Sequence, residues 1–196
     1  MKELIFASHN KGKIAEIKQL LEPFAIRVLS SEDVNLPDVE ETGKTFEENA
    51  KLKALTIAKL QNTVCLADDS GLCGDALDGR PGVYSARYAP NRDFQKAMQK
   101  LLSEMFQSKN PSRKAHFSCV LVLAYPDGQY FSFEGRIDGQ IATMLQGNNG
   151  FGFDPVFIPN GYQQTFAQLG SEIKNKISHR ACALKLLMEH IAQKGL

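Results

Sequence analysis

The tripeptide Pro126-Asp127-Gly128 lies between two β-patterned runs, and it constrains the fold more than any other feature of the chain. Ala115–Tyr125 is apolar and β-branched, and Gln129–Gly135 returns after only three residues. A connection that short joins antiparallel neighbours only, because parallel strands need a crossover of a dozen residues or more. The first half of the chain reads differently. Glu3–Ala7, Ile26–Ser30 and Val64–Ala67 are short strand-like runs with helical patterns between them. Ile14, Ile17, Leu20 and Leu21 recur at helical spacing up to about Glu22, before Pro23. Thr45-Phe46-Glu47-Glu48 is a capping-box pattern that opens a helix reaching about Asn62, with Glu48 expected to reach back to the cap. Strands joined by helices pair in parallel, whereas a hairpin pairs antiparallel. The expected fold is therefore α/β, with a mixed central β-sheet flanked by helices.

The rest of the chain adds a helix over Phe94–Phe106, another strand over Ile137–Met144 and a Gly-rich loop over Gly147–Asp154. A strand follows at Val156–Ile158. Ala181, Leu184, Leu187, Met188 and Ile191 then form one face of an amphipathic helix. There is no repeat or long linker, so residues 1–196 read as a single domain of two lobes. A chain of 196 residues buries roughly 70% of its unfolded surface and needs no disulfide or structural metal to fold. Cys65, Cys73, Cys119 and Cys182 form no CxxC pair and read as reduced thiols. The apolar run Leu4–Ala7 is too short for a signal-peptide core, and no run approaches the ~20 residues of a membrane span. A cytoplasmic protein without membrane contact is expected. Twenty-three Lys and Arg against 22 Asp and Glu leave a net charge of +1. No global field draws the chain to nucleic acid.

Four polar clusters carry candidate chemistry. Ser8, His9, Asn10, Lys11, Gly12 and Lys13 form a turn between a strand and a helix. Backbone N–H groups and the helix dipole make such a turn an anion site, and Asn10, Lys11 and Lys13 add donors and charge. The spacing is not that of a Walker A loop. Glu40-Glu41 and Asp68-Asp69 supply carboxylates, the second pair at the expected end of an apolar strand with Ser70-Gly71 directly after it. Such acids suit a hard cation like Mg²⁺, which keeps waters and substrate phosphates as its other ligands. In Gly150-Phe151-Gly152-Phe153-Asp154-Pro155, aromatics between glycines suit a planar ring. Lys174 and Ser178-His179-Arg180 place cations at the start of the last helix, where the dipole favours anions. Ser178 is the expected N-cap there. A phosphate cradle, metal carboxylates, a stacking loop and cationic donors are together the parts of a nucleotide site. No Ser/His/Asp triad or Cys/His pair is recognisable, which favours metal-assisted hydrolysis over covalent catalysis.

The segments SHNKGK (8–13), EETGxTFEENAxxKA (40–54), LADDSGL (66–72), RPGVYSARYA (80–89), GFGFDPVF (150–157) and KxxISHRxxALK (174–185) span nearly the whole chain. In order and spacing they resemble the inosine triphosphate pyrophosphatase family, the house-cleaning enzymes for deaminated purine nucleotides. The resemblance implies an elongated, two-lobed α/β fold with a cleft, as a homodimer. It implies hydrolysis of ITP, dITP and XTP to the monophosphate and pyrophosphate with Mg²⁺. On the matching positions, Ser8–Lys13 would hold phosphates, and Glu40 and Asp69 would serve the metal, with Asp68 and Glu41 competing. Asp69 would also be the general base. Ser70, Phe151, Gly152, Phe153, Asp154, Lys174, His179 and Arg180 would contact the nucleotide. Phe153 stands where many members have Tyr, and Gln168 and Ile173 where acids are frequent. Arg180 and protonated His179 carry only donors, so they suit the carbonyl at purine position 6 of hypoxanthine and xanthine and not the amine of adenine. An unmatched buried donor costs ~1–3 kcal/mol.

Overall fold

The computed structural model describes residues 2–196. Six strands form one sheet: β1 (Lys2–Phe6), β2 (Ile26–Leu29), β3 (Cys65–Gly74), β4 (Lys114–Ala124), β5 (Tyr130–Ile141) and β6 (Phe157–Pro159). Their spatial order is β2-β1-β3-β4-β5-β6. β1 pairs in parallel with β2 and β3, and β5 pairs antiparallel with β6, so the sheet is mixed as expected. The helices are α1 (Lys11–Leu21), α2 (Phe46–Gln61), α3 (Phe94–Gln107), α4 (Phe166–Leu169), α5 (Ser171–Ile177) and α6 (His179–Lys194). None is long and apolar enough to cross a membrane, among the described residues. No disulfide joins the four cysteines.

The chain divides into two compact units. The first comprises Met1–Asp69, Cys119–Gly135 and Arg180–Leu196. Its strands alternate inward and outward with a period of two, so each feeds two separate cores. Leu4 and Phe6 of β1, Leu66 of β3, and Cys119, Leu121 and Leu123 of β4 pack with Ile14, Ile17 and Leu21 of α1 and with Ala183, Leu184, Leu187 and Ile191 of α6. Their neighbours Ile5 and Ala7, Cys65 and Ala67, and Val120, Val122 and Ala124 pack with Ala50, Ala54, Ile57 and Ala58 of α2. Thus α1 and α6 cover one face of these strands and α2 the other. The second unit comprises Ser70–Ser118 and Arg136–His179. Its single core joins Ala97, Met98, Leu101 and Met105 of α3 to Ala115, Phe117, Ile141, Phe157 and Phe166.

Three expectations change. The acids at 68 and 69 do not lie at a strand's end, because β3 runs on through Asp68-Asp69-Ser70-Gly71 to Gly74. Both acids are buried yet partnered, as shown below, which is what lets a strand carry them. Ile137–Met144 is not a separate strand. It continues β5, and Gly139 is small there because a Cβ would lie 2.2 Å from the Ile158 carbonyl of β6. Glu48 does not bond the Thr45 N–H. Thr45 Oγ1 accepts from Glu48 N at 3.1 Å as expected, but the Glu48 carboxylate accepts from Lys44 N, one residue earlier.

Candidate active site

The same period-two alternation decides where the acids of β3 go. Asp68 shares the parity of Leu66 and faces α1 and α6, whereas Asp69 shares that of Cys65 and Ala67 and faces α2. On the first side, Asp68 receives Lys13 Nζ of α1 at 3.0 Å and Arg180 Nη2 of α6 at 3.1 Å. Arg180 also bonds Glu16 of α1, and its side chain is 1% exposed. Burial disfavours the Asp68 charge, but Lys13, Arg180 and Lys53 outweigh it and hold the carboxyl below the usual carboxylate range. Asp68 is ionised at any working pH.

Asp69 has the opposite character. Burial pushes its pKa up to about 6 from an ordinary 3.8, against the pull of Lys13 and Lys53 and with a further push from Glu41. Asn49 Nδ2 of α2 donates to it at 2.9 Å. Lys53, one helical turn after Asn49, donates to Glu41. Burial works against the Lys53 ammonium, and Asp68, Glu41 and Asp69 together raise its pKa above the ordinary value. Two adjacent acids therefore differ in role because of the faces they occupy. Asp68 is a fixed anion that organises cations, and Asp69 is a carboxylate whose pKa burial brings up to about 6.

The turn before α1 is built as the sequence implies. Asn10 is the N-cap, in extended conformation, and its side chain accepts from Lys13 N at 3.1 Å. Ser8 Oγ accepts from Asn10 N at 3.2 Å. Gly12 lies in the first helical turn, where backbone N–H groups have no intrahelical partner. Lys11 and His9 are exposed, and His9 Nε2 lies 3.2 Å from the Leu36 carbonyl. Glu40 is exposed, while Glu41 is the acid whose charge acts on Asp69. Asp69 and Glu41 are like charges held close in a poorly solvated place. That donor set fits a hard divalent cation, which relieves both the repulsion and the burial cost. Among the described residues, no group of three or more His, Cys, Asp or Glu side chains forms a ready cage. Mg²⁺ needs none, since one or two carboxylates and the substrate's phosphates suffice.

The second unit gathers the remaining candidates. Asp154 accepts from Phe151 N at 2.9 Å and from Lys174 Nζ of α5 at 2.7 Å. Both charged side chains are at most 5% exposed. Lys174 Nζ stands 4.4 Å from the centroid of the half-buried Phe151 ring. Phe153 is a core residue, 2% exposed, edge-on to Phe94 at 5.6 Å. Its missing hydroxyl is thus no loss to the packing. His179 is buried and stacks on Phe117 at 4.7 Å and 12°. Ser70 is half-buried on β3. Ser178 has the extended backbone of an N-cap between α5 and α6. The Gln168 position is explained by α4, where Thr165 and Gln168 form a reciprocal capping box. His179 and Arg180, adjacent in sequence, thus join different side-chain groups, an aromatic cluster and an acid cluster. Sequence reading missed Asn49 and Glu16. The signal for Asn49 was present: an amide standing in the buried stripe of α2 with Ala50, Ala54, Ile57 and Ala58.

The profile of the Ham1 family matches residues 4–190. A dITP/XTP pyrophosphatase of Zymomonas mobilis is 46% identical over 187 residues, 94% of this chain and 90% of that one. One of Bacillus subtilis is 48% identical over 189 residues, 95% of this chain and 96% of that one. The structure of the Ham1 protein of Staphylococcus aureus overlays with a TM-score of 0.86 at 42% identity, covering 98% of this chain and all of that one.

Proposed function

The chain belongs to the Ham1 family, and from that premise we propose that it hydrolyses the deaminated purine nucleotides ITP, dITP and XTP to the monophosphate and pyrophosphate. Its role is to cleanse the nucleotide pool and keep these bases out of DNA and RNA. One observation carries the reading beyond the names of relatives: Asp69 is buried on the α2 face of β3, where Asn49 Nδ2 donates to it at 2.9 Å and the Lys53–Glu41 pair stands beside it. A carboxylate so placed takes the proton of a water that attacks phosphorus between the α and β phosphates.

Asp69, with Glu40 or Glu41, would hold Mg²⁺. When bound, the ion neutralises phosphate oxygens and lowers the pKa of coordinated water. The protein's own groups do the remainder. The turn Ser8–Lys13 takes phosphates on Asn10, Lys11, Lys13 and the N–H groups of the helix start. Lys13 and Lys53 stabilise the charge that develops on the departing pyrophosphate. Phe151 and Gly152 accommodate the purine ring, with Phe153 anchoring the loop in the core and Asp154 orienting Lys174. Ser70 adds a hydroxyl. Lys174, protonated His179 and Arg180 are donors that match a carbonyl at position 6 and not an amine. Arg180 bonds Glu16 and Asp68 in this structure, so reading the base requires it to exchange a carboxylate for that carbonyl. We also infer a homodimer in the cytoplasm, to be checked by light scattering of the purified protein.

The test is pyrophosphate release from ITP, XTP, dITP, ATP, GTP and dUTP, with Mg²⁺ and with EDTA. Turnover confined to the inosine and xanthine nucleotides, and abolished by EDTA, is expected. Turnover of ATP or dUTP at the same rate overturns the substrate assignment. Full turnover in EDTA overturns the metal.

A further inference from the structure

Asn49 is wholly buried, yet its polar ends are both used. Its Oδ1 accepts from Gly43 N at 2.7 Å, and its Nδ2 donates to Asp69 at 2.9 Å. The orientation of the amide is forced. A backbone N–H only donates, so the carbonyl end faces Gly43 and the NH₂ end faces the carboxylate. The approach of the loop is equally constrained. A Cβ on Gly43 would lie 2.6 Å from Glu48 Cβ and 2.7 Å from Asn49 Oδ1, so only glycine brings this backbone onto the amide. Gly43 lies two residues after Glu41, the acid whose charge acts on Asp69. One side chain on the first turns of α2 therefore ties together the strand carrying Asp69 and the loop carrying Glu41.

We infer that Asn49 is a positioning residue for the hydrolysis, setting the orientation of the Asp69 carboxylate and the distance of the Glu41 loop from it. The inference rests on Asp69 being the base. A carboxylate held by a single flexible torsion samples many directions. Here rotation breaks a buried hydrogen bond whose donor is itself fixed at its far end. The group is thus held ready before substrate arrives, which is how orientation lowers a barrier. Removing the amide leaves the carboxylate present but misdirected.

The test compares Asn49→Ala, Gly43→Ala, Asp69→Asn and the double variant Asn49→Ala/Asp69→Asn in ITP hydrolysis with saturating Mg²⁺. Gly43→Ala disturbs the same amide from its other end and leaves Asn49 in place, so it serves where Asn49→Ala does not fold. Misplacement of a reacting group by about 1 Å costs on the order of 10²-fold, so kcat should fall roughly 10- to 100-fold in Asn49→Ala and in Gly43→Ala, with KM unchanged. Calorimetric binding of a non-hydrolysable ITP analogue with Mg²⁺ should also be unchanged. In the Asp69→Asn background, Asn49→Ala should cost nothing more, because there is no base left to orient. An equal loss in both backgrounds, or a raised KM, would mean a structural role and overturn the inference. Wild-type kcat in Asn49→Ala and Gly43→Ala, with Asp69→Asn inactive, overturns it while leaving the base in place. Retained turnover in Asp69→Asn overturns the base itself, a separate result.

Discussion

Asp68 and Asp69 are the same residue type one position apart, and substitution by Asn should move them in opposite directions. Asp69 has a folded-state pKa of about 6, above its unfolded value. Ionising it therefore costs stability above pH 6 and costs nothing below about pH 4, where both states are protonated. Asp69→Asn should lower turnover by on the order of 10²–10⁴-fold. It should also raise the melting temperature at pH 7 by a few degrees, roughly 2–4 °C per kcal/mol in a chain of this size. That gain should shrink as pH falls through 6 and vanish near 4. Asp68→Asn leaves the buried Arg180 and Lys13 without their carboxylate. Breaking a buried pair from one side costs about 3–5 kcal/mol, so this variant should melt far lower at pH 7. Thermal melts of the two variants across pH, beside pyrophosphate release, check both. A rise for Asp68→Asn, or a fall for Asp69→Asn, would contradict the assignment of faces. The acid pair itself was legible in the sequence, and the resemblance singled out Asp69, but the physical cause of the division between the two was not legible. It depends on β3 continuing beyond Ala67, and two consecutive acids look like the end of a strand until their partners on α1, α2 and α6 are in view.

At the scale of elements, legibility followed length and periodicity. α3 places Met98, Leu101 and Met105 on one face over four turns, and the β4–β5 hairpin is announced by its turn, so both lie where the sequence put them. α4 has four residues and α5 seven, too short for a helical period to register. β5 was cut in two after Gly135, whereas the strand runs on to Ile141, and Gly139 within it is there for the close approach of β6. Short polar connections also carry measurable structure. After β2, Asp33 accepts from the Ser30 N–H and hydroxyl, each at 2.8 Å, and from Lys18 Nζ of α1 at 3.1 Å. These bonds, the Ser30 N–H foremost, lower its pKa to about 2. The folded pKa lies below the unfolded one, so the contribution is complete above about pH 4 and is lost as pH falls toward 2. Asp33→Asn should therefore melt lower than the parent at pH 6, and the two curves should converge near pH 2. A gap that persists at pH 2 would assign the loss to packing and not to charge.

For the molecule as a whole, the charge is nearly balanced, and the strong fields are local. In the first unit Lys13, Lys53 and Arg180 are set against Glu16, Glu41, Asp68 and Asp69. In the second, Lys174 is set against Asp154 beneath Phe151. Buried acids beside the turn proposed to hold phosphates repel an unaccompanied triphosphate, so substrate and cation should bind as mutual aids. Ligand that binds only the folded state stabilises it by mass action, about 2.7 kcal/mol at a hundred times Kd. For a chain of this size that is roughly 5–10 °C in melting temperature. A non-hydrolysable inosine triphosphate analogue with Mg²⁺ should give a shift of this order. The analogue in EDTA should give a much smaller one, because no cation then stands between the triphosphate and the Asp69 and Glu41 carboxylates. The adenosine counterpart with Mg²⁺ should fall below the inosine analogue by the cost of donors on Lys174, His179 and Arg180 that meet an amine. Single-stranded RNA should give none, since a net charge of +1 supplies no general attraction for a phosphate backbone. Equal shifts with and without Mg²⁺ would remove the carboxylates from the substrate's path. Equal shifts for the two purines would remove base recognition from the donor set.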